Sequence, residues 1–259
     1  MPNLFNGFYQ RTMQRVKHSG NAGDLIYSLP AMRQIGEDIE LVLVPNVPLQ
    51  ASLQHPNNGV QLTYKMCDML RPLLFATGFI KSIQITEQPG QVDYDFDTFR
   101  KFHNYTGHIS QWYFHIYPRL TCDLSQPIDI AVKPKTTRPI VINRTARYHN
   151  PTFDYMVLKP YADKMTFVGL PEEYRVLSAK LPGMTYTEVQ DFGELASVIK
   201  GSELFIGNQS MAYAIAEIIK HPRIVEVCPY ANNVIPTGAN GYGAFTLVNL
   251  IQIMKYKYE

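Results

Sequence analysis

The chain has 259 residues, of which 46% are hydrophobic and 18% charged, and a formal net charge of +2. These values exclude a disordered or fibrous chain and give no general attraction to nucleic acid or to a membrane surface, while the length allows two domains with real cores. The three cysteines, Cys67, Cys122 and Cys228, are far apart and form no Cys-x-x-Cys pair, which points to reduced thiols rather than a disulfide framework or a zinc site. No stretch approaches the roughly 18 apolar residues of a membrane span, and the N-terminus lacks an apolar signal core, so a cytoplasmic protein is expected.

In chain order, residues 15–18 suggest a short first strand. The small-residue loop Ser19–Asp24 then leads into a helix with Leu25, Ile26, Leu29 and Met32 on its apolar face, in which Pro30 predicts a kink or a late start. Residues 40–44 read as a strand stopped by Pro45, residues 60–79 as a helix ended by Gly78, and residues 80–85 as an alternating strand. Between Tyr94 and Tyr117 aromatic and imidazole groups are dense, with His103, Tyr105, His108, Trp112, Tyr113, His115 and Tyr117, and this stretch is expected to form a binding wall, with a partly buried packing layer as the alternative.

The polar, proline-broken stretch Lys133–Pro139 is the expected linker, after which strand and helix signals restart. Residues 140–142 and 165–168 read as strands, the first ending in the cationic loop that carries Arg144 and Arg147. A helix over 192–199 precedes Leu204–Ile206, a short apolar run followed by the turn Gly207-Asn208-Gln209 and by Ser210, which opens a helix. Residues 223–227 form another expected strand, Gly238–Gly243 a glycine-rich loop and 245–258 a last helix. Strand, tight turn and helix N-terminus at Leu204–Ser210 gather free backbone N–H groups, the positive end of a helix dipole and a hydroxyl, which is the chemistry of a phosphate site.

Two signatures carry a resemblance. Gly23-Asp24-Leu25-Ile26-Tyr27-Ser28-Leu29-Pro30-Ala31-Met32-Arg33 and Leu204-Phe205-Ile206-Gly207-Asn208-Gln209-Ser210 resemble the amino- and carboxy-terminal motifs of the heptosyltransferase-like glycosyltransferases, family 9 of the GT-B fold, and Phe167–Glu173 resembles a weaker element between them. The resemblance implies an α/β fold of two Rossmann-like domains facing across a cleft, in a compact version. Residues 1–133 would be the acceptor-side domain, 134–244 the nucleotide-sugar donor domain, and 245–259 a helix packing back on the first domain. The implied activity is an inverting transfer from a nucleotide-diphosphate sugar to a hydroxyl acceptor, with neither a metal nor another cofactor. The chain departs from the family pattern at Gln209, Met211 and Ala214, where the family has aspartate, glycine and histidine; a non-catalytic nucleotide or nucleotide-sugar binding module of the same fold is the second reading.

Within that frame Asp24 is the candidate base, at the carboxyl edge of a sheet where α/β ligands bind, with a plain N-terminal helix aspartate as the alternative. Arg144 and Arg147 are candidates for the diphosphate because guanidinium forks match phosphate oxygens, together with Asn208, Gln209 and Ser210. Gly169, Pro171, Glu172 and Glu217 would border the nucleoside, though a solvated helix face suits Glu217 equally. Gly23, His108 and Trp112 fall on the acceptor side. The acceptor would be a saccharide or other hydroxyl compound, with a modified DNA base as an alternative suggested by Arg100, Lys101 and Arg119 near the aromatics. Placing Asp24 and Ser210 on different halves predicts an open cleft and hinges at 133–139 and 238–243.

Overall fold

The computed structural model describes residues 13–49, 59–101 and 107–258; His103 and Tyr105 lie outside them. Strand β1 (Gln14–His18) is the centre of the first sheet, flanked by β2 (Ile39–Leu43) and β4 (Tyr94–Asp95), with β3 (Ile80–Ile85) beyond β2. The order β3-β2-β1-β4 is parallel throughout. Helix α1 (Ala22–Ile35) begins three residues before the expected Leu25 and keeps Pro30 inside it; α2 is Tyr64–Phe75 and α3 is Ile109–Ile116.

The second half holds β5 (Ile140–Asn143), β6 (Met165–Phe167), β7 (Thr185–Tyr186), β8 (Leu204–Asn208), β9 (Arg223–Glu226) and β10 (Gly241–Ala244), again all parallel, in the order β10-β9-β8-β5-β6-β7. Its helices are α4 (Pro171–Ser178), α5 (Phe192–Lys200), α6 (Met211–Ile218) and α7 (Leu247–Tyr258). Counted from β5, this is the doubly wound order 6-5-4-1-2-3, which reverses direction between β5 and β8; the first sheet reverses between β1 and β4. In such sheets the loops leaving the carboxyl ends of strands separate at the reversal and leave a crevice for a ligand.

The two halves share one core. Helix α1 lies against α6 and α2 against α5, and one apolar cluster runs from Leu25, Leu29 and Met32 of α1 and Leu70, Leu73 and Leu74 of α2 to Ala212, Ile215 and Ala216 of α6 and Leu195, Val198 and Ile199 of α5. Gly193 permits the close approach of α5 to α2, since a Cβ there would stand 2.9 Å from that of Pro72. The segment between α3 and β5 straps the two halves together. Ile128 and Ile130 are buried in the shared core, the Ala131 N–H donates to the Ala76 carbonyl of the first half (2.8 Å), and the Lys135 N–H to the Ser197 carbonyl of the second (2.9 Å).

The structure corrects three expectations. The last helix does not pack on the first half: its buried residues Leu250 and Met254 join the second half's own cluster, and the Tyr258 ring lies 5.9 Å from that of Tyr161. The reason is β10, formed by the glycine-rich stretch that was expected to be a loop. Because it adds to the edge of the second sheet, the helix that follows returns onto that sheet. Nor is 238–243 a free hinge, since Arg223 Nη1 and Nη2 donate to the Ala239 and Thr237 carbonyls (2.9 and 2.6 Å). The aromatic stretch is mostly a packing layer: Phe96, Phe99 and Tyr113 are buried, and the Trp112 ring is tilted against that of Phe99 with centroids 5.6 Å apart.

Because α5 meets α2 without room for a side chain at residue 193, Gly193→Val overpacks the shared core. Urea denaturation should show a loss of about 1–3 kcal/mol; an unchanged midpoint would mean that the helices part at no cost.

Candidate active site

Strand β1 ends in His18, fully buried in a hydrogen-bonded chain whose direction is determined. The Gly20 N–H donates to His18 Nδ1 (3.0 Å), so Nε2 carries the proton and donates to Tyr113 Oη (3.0 Å), and the Tyr113 hydroxyl donates to the Asp24 carbonyl (3.0 Å). Burial pushes the His18 pKa down to about 3, which keeps the ring neutral in this role. The chain therefore fixes the loop 19–21 and the first turn of α1, on which Asp24 stands.

The Asp24 carboxylate is 23% exposed and pairs through Oδ2 with Arg100 Nη2 at 3.2 Å. Burial raises its pKa from the ordinary carboxylate value, partly opposed by Arg100 and by Arg147 of the second half. An aspartate with a raised pKa is a stronger proton acceptor while ionised, as a general base should be. Arg100 lies on the 3-10 helix Phe96–Lys101 after β4, so both sides of the first sheet's reversal contribute to this pair.

Directly across from it is the second half's reversal. The N-terminus of α1 abuts that of α6: a Cβ on Gly23 would lie 4.0 Å from Met211 Cα. Gly23, assigned to the acceptor side, is thus the point where the helices touch. Two positive helix ends meet there, which favours an anion at the junction. Ser210 caps α6 by accepting the Tyr213 N–H on Oγ (3.2 Å), and Gln209 Nε2 donates to Asn233 Oδ1 (2.9 Å). Asn208 is fully buried and its amide is engaged with the loop after β5: Oδ1 accepts the Thr145 N–H (3.0 Å), and Nδ2 donates to the Thr145 carbonyl (3.1 Å) and to that of Arg147. Asn208 therefore shapes the loop rather than presenting a donor to phosphate.

The two arginines of that loop part company. Arg144 is held by the buried Glu226 through two bonds, Nε–Oε2 at 2.8 Å and Nη2–Oε1 at 3.1 Å, with its guanidinium carbon 4.4 Å over the Tyr155 ring, so its assignment to the diphosphate is corrected to a structural one. Arg147, half-buried and 5.2 Å over the Tyr148 ring, is the cation whose field reaches Asp24. Glu173 secures the loop from α4 by accepting the Ala146 N–H at 3.1 Å.

Of the nucleoside candidates, Gly169 has φ +143°, and a Cβ there would stand 2.7 Å from Asn143 Nδ2, so it is fixed by backbone geometry and packing; Pro171 and Glu172 are exposed at the start of α4. Glu217 lies neither on a solvated face nor toward a ribose. It is 1% exposed and bonded to Arg223 Nε (2.5 Å), Lys220 Nζ (2.8 Å), Thr237 N and Oγ1 (3.0 and 2.7 Å) and the Tyr213 hydroxyl (3.2 Å). Burial alone would raise its pKa, but Arg223 and Lys220 hold it below the ordinary value.

His108 is 7% exposed and caps α3 by accepting the Ser110 N–H on Nδ1 (3.1 Å), its pKa pushed down to about 4 by burial. It and Trp112 belong to the packing and not to an exposed acceptor wall. The DNA-base alternative loses its footing, because Arg100 is paired internally and the neighbouring rings are in the core. Sequence reasoning missed the partnership of Arg100 with Asp24. Its signal is the Asp97-x-x-Arg100 spacing at the end of a strand next to β1.

Two parallel α/β sheets whose strand-order reversals lie near the meeting N-termini of α1 and α6 make an architecture similar in fold to that of glycosyltransferases of family 9. Over 96% of this chain and 90% of the other, the structure matches a glycosyl transferase family 9 protein from Veillonella parvula DSM 2008, with TM-score 0.61 and 12% identity. It also matches the E. coli heptosyltransferase WaaC with ADP-2-deoxy-2-fluoro heptose (0.54, 12%, 95% and 100% of the two chains) and the E. coli ADP-heptose lps heptosyltransferase II (0.52, 12%, 95% and 98%). At these identities the likeness is one of fold. No family model and no curated protein matches the sequence.

Two outcomes follow from these environments. Glu217→Gln leaves Arg223 buried and uncompensated and should cost about 3–5 kcal/mol in denaturant titration, with nucleotide affinity unchanged in the folded fraction. His18 and His108 have depressed folded pKa values, so the unfolded chain takes up protons first and stability is lost as pH falls from about 6.5 toward 4, each contributing about 1.4 kcal/mol per pH unit. Urea midpoints at pH 7 and pH 5 measure this loss, and His108→Asn, which keeps a capping residue, should make the dependence shallower.

Proposed function

We propose that the protein is an inverting glycosyltransferase that uses a nucleotide-diphosphate sugar and a hydroxyl acceptor and needs no metal. The observation that carries this reading is the junction itself, where the N-termini of α1 and α6 meet beside a carboxylate, Asp24, and an arginine, Arg147. In the proposed reaction Asp24 takes the proton of the acceptor hydroxyl. The hydroxyl oxygen forms a bond to the anomeric carbon from the face opposite the diphosphate, and the diphosphate leaves with the bonding pair. A single displacement of this kind inverts the anomeric centre.

The departing charge would be met by the N-terminus of α6, the Ser210 and Gln209 turn and Arg147, all preorganised before substrate arrives. Gly169, Pro171 and Glu172 would border the nucleoside on the β6 side of the same crevice. A saccharide is the acceptor class that suits a hydroxyl nucleophile here. Residues 1–133 would then carry the acceptor and the rest of the chain the donor. Because WaaC is described with an ADP sugar analogue, ADP sugars are the first donors to try.

Thermal-shift measurements with ADP and with a panel of nucleotide-diphosphate sugars, followed by assays for slow donor hydrolysis, test the reading; no response to any nucleotide would sink it. Asp24→Asn should retain nucleotide binding and lower the transfer or hydrolysis rate about 10²- to 10⁴-fold.

A second reading, a nucleotide-binding module without transferase chemistry, is favoured by one observation. At the α6 turn the side chain in place of the family's aspartate is Gln209, and it is bonded to Asn233. Nucleotide binding with no turnover of any donor would select it.

A further inference from the structure

Arg100 is more than a counter-ion that happens to lie near Asp24. Its guanidinium is bound on two sides, Nη1 to Asp97 Oδ1 at 2.7 Å and Nη2 to Asp24 Oδ2 at 3.2 Å, with its central carbon 4.5 Å over the Phe99 ring. Asp97 is itself fixed: Oδ1 accepts the Ser19 N–H at 3.0 Å, and Lys17 Nζ lies 3.3 Å from Oδ2. The plane of the guanidinium covers Gly20 so closely that a Cβ there would collide with it and stand 2.7 Å from His18 Cε1. The loop 19–21 is therefore built with a gap that Arg100 fills.

We propose that Arg100 is the positioning residue of Asp24, holding its carboxylate as an anion in one orientation at the junction of the two halves, with Gly20 reserving the space for it. This rests on the reading of Asp24 as the base only for its consequence in catalysis. The physical relation between the two side chains stands apart from that reading.

The arrangement solves a specific problem. Asp24 is drawn toward the neutral acid by burial, and a protonated aspartate cannot accept the acceptor's proton. The charged and titratable groups around it are Arg100 and Asp97 from the segment after β4, Arg147 and Tyr148 from the loop after β5, Tyr113 from α3, and Tyr27 on its own helix, while α6 presents the uncharged Ser210 and Met211. Arg100 is the cation in direct contact with the carboxylate; Arg147 acts from farther away. The fixed arginine holds Oδ2, and the Asn21 side chain, uncharged and on the same loop, hydrogen-bonds the carboxylate as well.

The direct test is the ionisation of Asp24 followed by carboxyl ¹³C NMR in the ligand-free protein, assigned with Asp24→Asn. Arg100→Gln should raise the Asp24 pKa by about 1–3 units, the size of effect expected for a cation in contact. Arg100→Lys, which keeps the charge, should restore most of it. Gly20→Val, which removes no charge but displaces the guanidinium, should shift the pKa in the same direction as Arg100→Gln. A pKa that does not move in Arg100→Gln, or that moves in Arg147→Gln instead, overturns the proposal. If nucleotide-sugar turnover is found, the acidic limb of kcat/KM should move with the NMR value. If none is found, the NMR result still decides the role of Arg100, so the two readings fail separately.

Discussion

Everything at the candidate site depends on the packing of α1 against α6. A helix pair in contact along an apolar face fixes the relative position of two N-termini as a by-product, with Gly23 setting the distance at the meeting point. From that one constraint follow the nearness of the two sheets' reversal points, the field of Arg147 on Asp24, and the placement of the Ser210 turn near a carboxylate. The fixed geometry also means that the two helix ends are ordered by folding itself, so a ligand bound between them would meet little further entropic cost of ordering.

Polar groups carry the second level of organisation by tying loops to strands. Asn208 holds the loop after β5, Glu226 draws Arg144 inward from the same loop and also accepts the Asn150 N–H at 2.6 Å, and Glu217 with Arg223 holds residues 237–239. Each is a buried group whose hydrogen-bonding capacity is met by backbone or by an opposite charge, which is the condition for such groups to be tolerated inside a core. Loops carrying reactive groups are in this way made nearly as fixed as the sheets they leave.

Much of the scaffold was legible because it is written in local pattern. The apolar runs at β2, β5 and β8 and the helical spacing of α1, α5 and α6 announce themselves within a few residues. Strands β4 and β7, two residues each, have no such pattern, and β10 is hidden by its glycines: Gly241-Tyr242-Gly243-Ala244 becomes a strand only because β9 offers an edge to pair with. At the site, Asp24 and the Ser210 turn were visible from the residue types that a helix start requires. The division of labour between Arg144 and Arg147 was not, since it is decided by Glu226, some eighty residues away and silent in sequence. Glu217 misled although its partners are near in sequence, because Arg223 starts the next strand and Thr237 lies in the loop after it, and only the fold turns them onto the α6 side chain.

The shared core has a consequence for how such a protein can be taken apart and varied. Two-domain enzymes built as separable units can exchange one half for that of a relative, and each half can be produced alone. Here the faces of α1 and α2 in one half are completed only by α6 and α5 in the other, and Ile128 and Ile130 of the connecting segment lie between them. Either half expressed by itself would present a broad apolar helical surface to water, the usual antecedent of aggregation. Modular exchange of halves is therefore disfavoured for this chain, and sequence variation is left to the loops while the helix faces beneath them stay matched.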